Sequence, residues 1–205
     1  MIMRAGSVAV GVLAAVCSTS MPAPSGSSSQ VLAETEAPTQ KRAEFKREWF
    51  YAEEDATWAK LKKMQGRVAA PVRTANWVGE RQDLAKLKGK IVLIDFWATW
   101  CGPCIRAIPH TNEVMEKYKP KGVEVFGICC SRGSEDMRNV AMQQKMKYPT
   151  GADSGKQTEK AFGVSWWPFY VLVDRKGVIR AAGLKPDGLE PAIDALLEEQ
   201  PAIAG

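Results

Sequence analysis

The stretch KIVLIDFWATWCGPC, residues 90–104, constrains this chain more than any other. Residues 90–98 form a continuous apolar run of strand length, rich in β-branched and aromatic side chains. A run without alternating polar positions suits a strand covered on both faces, central in its sheet. One acid, Asp95, interrupts it. A carboxylate there is either satisfied by neighbouring hydroxyl or backbone groups or held with a raised proton affinity, exchanging protons near neutrality. Directly behind the run stand Cys101 and Cys104, separated by Gly102 and Pro103. After them Ile105, Ile108, Met115 and Tyr118 recur at helical spacing, and Pro109 should kink that helix.

Two cysteines at a strand-to-helix turn are placed for thiol–disulfide exchange. The helix dipole and its unpaired N–H groups stabilise a thiolate at Cys101, and the three-residue spacing lets Cys104 close an internal disulfide. Cys101 is then the attacking sulfur and Cys104 the resolving one. The alternatives are a purely structural disulfide or half of a zinc site. Zinc needs two further ligands, and the chain offers one histidine, His110, besides Cys17, Cys129 and Cys130. No metal or organic cofactor is expected. Cys129 and Cys130 lie in a second apolar run, 122–131, where neighbours alternate faces, so they read as small buried apolar residues ahead of a second redox pair.

The remaining pattern alternates strands with helices. A helix is expected over 134–147 with Ser134 as its N-cap, a short strand within 147–153, and a short helix over 155–162. A hairpin follows, 169–174 with 178–182, and then a last helix capped by Asp187 with Glu190 reaching back. Leu189, Ile193, Leu196 and Leu197 form that helix's buried stripe. Such an order implies an α/β sandwich around a mixed sheet. Residues 1–33 read as a secretory signal, AGSVAVGVLAAV behind a basic start, and a flexible linker containing PAPSGSSS. Cleavage before Glu34, lipidation at Cys17 and retention as a membrane anchor all stay open. An exported protein is expected, in the periplasm or cell envelope. Residues 34–66 mix charges with Phe45, Trp49, Phe50, Trp58, Leu61 and Met64 and read as a helical arm packed on a domain spanning 67–200. A net charge of +5 without any single-sign block argues against a nucleic-acid partner.

IDFWATWCGPC, with Pro109 five residues past Cys104, resembles the active-site strand, turn and helix of the thioredoxin superfamily, and the likeness runs from about residue 68 to 199. The N-terminal signal, the extra strand and helix between 131 and 152 and the late WPFYVLVD resemble in particular its exported TlpA/ResA-like branch of thiol–disulfide oxidoreductases. That resemblance implies a thioredoxin fold with an αβ insertion, protein thiol or disulfide substrates, a membrane thiol electron donor, and clients such as apocytochromes c. Pro168 matches the superfamily's cis-proline, which faces the cysteines and leaves the preceding main chain to pair with substrate. Trp100, Gly102, Pro103, Trp167 and Pro168 then form the docking surface, and Asp95 matches the acid that takes the proton of the resolving cysteine. The chain departs from the pattern in three places: 123–130 holds no lysine to tune Asp95, IRAIP replaces a glutamate-bearing stretch, and Trp167 is bulky before the proline. A peroxiredoxin-like peroxidase would want threonine where Ala98 stands, and a thioredoxin-like adaptor or chaperone would not need both cysteines.

Overall fold

The sheet is organised by its most apolar strand. In the computed structural model, which describes residues 42–199, six strands lie in the order β1-β4-β3-β2-β5-β6. They are β1 (Ala75–Val78), β2 (Ile91–Trp97), β3 (Val123–Cys129), β4 (Thr150–Ala152), β5 (Phe169–Val173) and β6 (Ile179–Leu184). Every residue of β2 is buried, and the strand is paired on both sides, parallel to β3 and antiparallel to β5. β4 runs parallel to β3, and β1 and β6 close the two edges antiparallel to their neighbours. Five helices accompany the sheet: α1 (Asp55–Lys62), α2 (Gly102–Tyr118), α3 (Met137–Gln143), α4 (Gln157–Ala161) and α5 (Leu189–Glu198).

The period of two along β2 sorts its side chains between the faces. Asp95 pairs in register with Gly127 and Tyr170, and Tyr170 reaches Thr111 of α2 through a hydroxyl contact of 3.1 Å, so α2 covers the Asp95 face. Phe96 points the other way, against Phe162 behind α4 and Phe169 of β5. α2 holds Pro109 in its interior, and α5 buries Leu189, Ile193 and Leu196 as its spacing required.

Four details differ from the sequence expectations. The segment before the domain is helical only over 47–49 and in α1, because Phe50 between them pairs with Leu184 of β6 as an isolated bridge. The helix expected over 134–147 is a 3-10 turn over 134–136 followed by α3, which stops at Gln143. Lys145 there adopts a left-handed φ of 54°. Ser134 does not cap it, since its hydroxyl donates to the Ser131 carbonyl. Nor does Asp187 cap α5: a 3-10 turn over 186–188 puts Gly188 at the N-cap, and Glu190 turns to Lys117 of α2. β1 has no counterpart in the expectations, its four residues being too few and too mixed to announce a strand. The signal, the linker and Cys17 fall outside the described residues.

Arg180 of β6 makes a two-pronged contact of 2.9 and 2.7 Å with Glu199, whose second oxygen also accepts from the Ala43 N–H at 2.9 Å. One carboxylate thus ties the start of the described chain to its last helix and the edge strand.

Gly127 faces a crowded point of the sheet. A β-carbon there would stand 2.7 Å from Thr150 Oγ1 and 3.0 Å from Trp97 Nε1, two atoms already joined by a 2.8 Å hydrogen bond. Gly127→Ala is therefore expected to lower unfolding stability by about 1–3 kcal/mol in guanidinium titration, through overpacking. An unchanged midpoint would mean that this corner has slack.

Candidate active site

Cys101 caps the N-terminus of α2 and does so with sulfur. Its Sγ accepts the Cys104 backbone N–H at 3.2 Å, and the two side chains are joined as a disulfide. Pro103 occupies the first turn, where its missing N–H costs nothing, and no acidic residue stands there to compete for the positive end of the helix dipole. In the reduced form, a thiolate on Cys101 would therefore keep one direct N–H donor and a favourable dipole. Both sulfurs are largely covered: Cys101 is 5% exposed and Cys104 2%.

Asp95 is 2% exposed, on the α2 face of β2. One of its oxygens, Oδ2, accepts the Tyr148 hydroxyl at 2.7 Å, while Oδ1 has no hydrogen-bond partner. Burial pushes the carboxyl up to about 7, overcoming the Tyr148 bond, which pulls it down. A hydroxyl thus satisfies one oxygen, while burial raises the proton affinity of the group. The lysine missing from 123–130 is replaced in effect by a neutral donor, the tyrosine that leads into β4.

The rim is built by a loop clasp. Thr99 Oγ1 donates to the Gly133 carbonyl at 2.9 Å and Trp100 Nε1 to the Arg132 carbonyl at 2.9 Å. Gly133 is needed there: its φ is 81°, and a β-carbon would meet Thr99 Oγ1 at 2.4 Å. Trp100 remains 45% exposed, with its ring edge-on to Trp167 at 5.5 Å between centroids. The Trp167–Pro168 peptide is cis, and Pro168 leads into β5. Trp167, Cys101 and Cys104 pack in one apolar cluster with Trp97, Cys129 and Cys130. Gly102 and Pro103 are exposed beside them. His110 lies elsewhere, its Nε2 donating to the Pro186 carbonyl at 3.2 Å. Cys129 and Cys130 are buried free thiols, the first pushed up to about 12 by burial.

The Redoxin family model matches residues 65–197. The chain belongs to the Redoxin family. Within it, the thiol-disulfide oxidoreductase ResA of Bacillus thuringiensis is 34% identical over 123 residues, covering 60% of this chain and 71% of that one. Among solved structures, the thioredoxin domain of a thiol-disulfide oxidoreductase from Bacteroides vulgatus superposes with a TM-score of 0.60 at 26% identity, covering 65% of this chain and 98% of that one. A thiol:disulfide interchange protein from a Bacteroides species gives 0.58 at 26% identity, covering 69% and 93%. This Redoxin is therefore a ResA-like member of the thioredoxin superfamily and an oxidoreductase of protein disulfides.

Sequence reasoning missed Tyr148, Gly133 and Arg132. Only Gly133 left a trace, as a glycine in the short SRGS between two elements. Tyr148 could not be paired with Asp95 from spacing alone, because 53 residues separate them.

The raised Asp95 carboxyl makes stability depend on pH with a definite sign. The folded protein holds this proton up to about 7, whereas the free side chain releases it near 3.8, so the stabilisation is complete below pH 4 and is lost as pH rises through 7. The oxidised protein should accordingly weaken by a few kcal/mol between pH 4 and pH 8, flattening above that. Asp95→Asn should remove most of this slope and be the more stable protein at pH 8 in denaturant titrations. Tyr148→Phe removes the bond that lowers the carboxyl, so the Asp95 midpoint read by carboxyl carbon NMR should move upward; a downward move would sink the assigned role of that hydroxyl.

Proposed function

We propose that this protein is an exported thiol–disulfide reductase of the periplasm or cell envelope, acting on disulfides in client proteins. The observation that carries the reading is the Cys104 N–H on Cys101 Sγ at an acid-free helix start, directly after the strand that buries an acid of raised proton affinity. In this scheme residues 1–33 are the signal and linker, 34–66 the arm, and 67–200 the catalytic domain.

The reduced Cys101 thiolate attacks one sulfur of the client disulfide, forming a mixed disulfide and releasing the client's other sulfur as a thiolate. Cys104 then gives its proton to Asp95 and attacks Cys101 Sγ. The bond between Cys101 and the client breaks, the client's two sulfurs leave reduced and take up protons from water, and Cys101 and Cys104 end as a disulfide, two electrons having passed to the client. Trp100, Gly102, Pro103, Trp167 and Pro168 form the surface on which the client strand docks, the main chain before Pro168 pairing with it. A membrane thiol donor returns the pair to its reduced form, with anchoring of the chain through its N-terminus keeping the two together. Cysteines of apocytochromes c, as in cytochrome c maturation, are clients that suit such a reductase.

Gly-Pro between the cysteines favours a reducing couple. The equilibrium potential of the Cys101–Cys104 pair, titrated against dithiothreitol and glutathione by tryptophan fluorescence, is expected near the thioredoxin value of about −270 mV. A value above about −180 mV, in the range of isomerases, would overturn the reductase direction. Cys104→Ser should accumulate the mixed disulfide with a client peptide, visible as a band lost on reduction, and Cys101→Ser should form none.

A further inference from the structure

Two exposed cations stand against the residues on either side of Cys101 in the chain, Trp100 and Gly102, and neither has an anionic partner among the described residues. Arg132 lies with its guanidinium carbon 4.0 Å from the centre of the Trp100 ring, while its own carbonyl holds the Trp100 N–H. Arg106, one helical turn along α2 from Gly102, has its Nη1 3.4 Å from where a β-carbon on Gly102 would stand. Both side chains belong to exposed residues, one against Trp100 and the other beside Gly102, the two residues that bracket Cys101 in the chain. Glu135 and Asp136 follow Arg132 in the same loop, yet no ion pair joins them to it among the described residues. The first turn of α2 holds no acid either.

We propose that Arg106 and Arg132 read the charge of the client, selecting disulfides whose cysteines are flanked by carboxylates in an acidic protein segment. This rests on the reading of Cys101 as the attacking sulfur. Stacking on Trp100 covers one face of the Arg132 guanidinium and leaves its fork of in-plane N–H donors at the edge, the geometry that accepts a carboxylate two-pronged. The stack also fixes the side chain beforehand, which reduces the ordering cost when a client arrives. Gly102, having no side chain, puts nothing between Arg106 and the backbone of the residue after Cys101. A client carboxylate beside the attacked cysteine would then be attracted by both cations, while a lysine there would be repelled by both. Charges at such a rim act chiefly on the rate of encounter and weaken as salt rises.

The test uses the whole protein with dithiothreitol as electron source, the uncatalysed rate being subtracted. Three synthetic peptides each carry one internal disulfide and differ only in the residues flanking the cysteines: Asp, Ser or Lys. We expect kcat/KM for the Asp peptide to exceed that for the Lys peptide by about tenfold at low salt, with the ratio falling towards one as salt is added. Arg106→Glu with Arg132→Glu should invert the order. Equal turnover of the Asp and Lys peptides, with the Ser peptide reduced normally, would overturn the proposal and leave the reductase standing. If the double variant slows all three peptides by one factor, the arginines merely support Trp100 and the proposal is again overturned. Failure to reduce any of the three would defeat the reductase reading itself, and the proposal with it.

Discussion

A carboxylate in the middle of a fully buried strand forces accommodations on every element packed against it. Asp95 has Gly127 beside it on β3, which brings no side chain, and Tyr170 beside it on β5. Tyr148, ahead of β4, supplies a hydroxyl, and Thr111 of α2 engages Tyr170 in turn. One neutral donor, the Tyr148 hydroxyl, offsets part of the cost of burying the acid and leaves the carboxyl able to take a proton where a lysine would hold it ionised. The same glycine admits the Trp97–Thr150 hydrogen bond that joins β2 to β4 across β3. The polar interior and the apolar packing share one vacancy.

β2 and the helix that follows it thus offer two opposed electrostatic environments. The start of α2 favours negative charge on Cys101, whereas burial within β2 disfavours it on Asp95. The contrast follows from where β2 ends and α2 begins.

Much of this was legible in residues 90–104, because a strand apolar on both faces, an interior acid and a cysteine pair at a helix start each have few physical explanations. The elements expected from strong periodicity, β2, β3, α2, the hairpin and α5, appear within a residue or two of their predicted bounds. The caps fared worse. Ser134 and Asp187 have the right chemistry for N-caps, but tertiary contacts drew a 3-10 turn in front of each helix and moved the cap onward. The partner of Asp95, the clasp between the 99–100 and 132–133 loops and the stack of Arg132 on Trp100 depend on contacts between distant positions, for which spacing carries no signal.

Cys129 and Cys130 give the site a property that its disulfide alone would lack. Four sulfurs share one apolar cluster, an arrangement in which internal exchange would ordinarily scramble the pairing. Exchange requires a thiolate, and burial holds both free thiols protonated, Cys129 most firmly. Attack by either free thiol on the neighbouring Cys101–Cys104 disulfide is thereby disfavoured, so the pairing in the cluster is protected by burial rather than by distance.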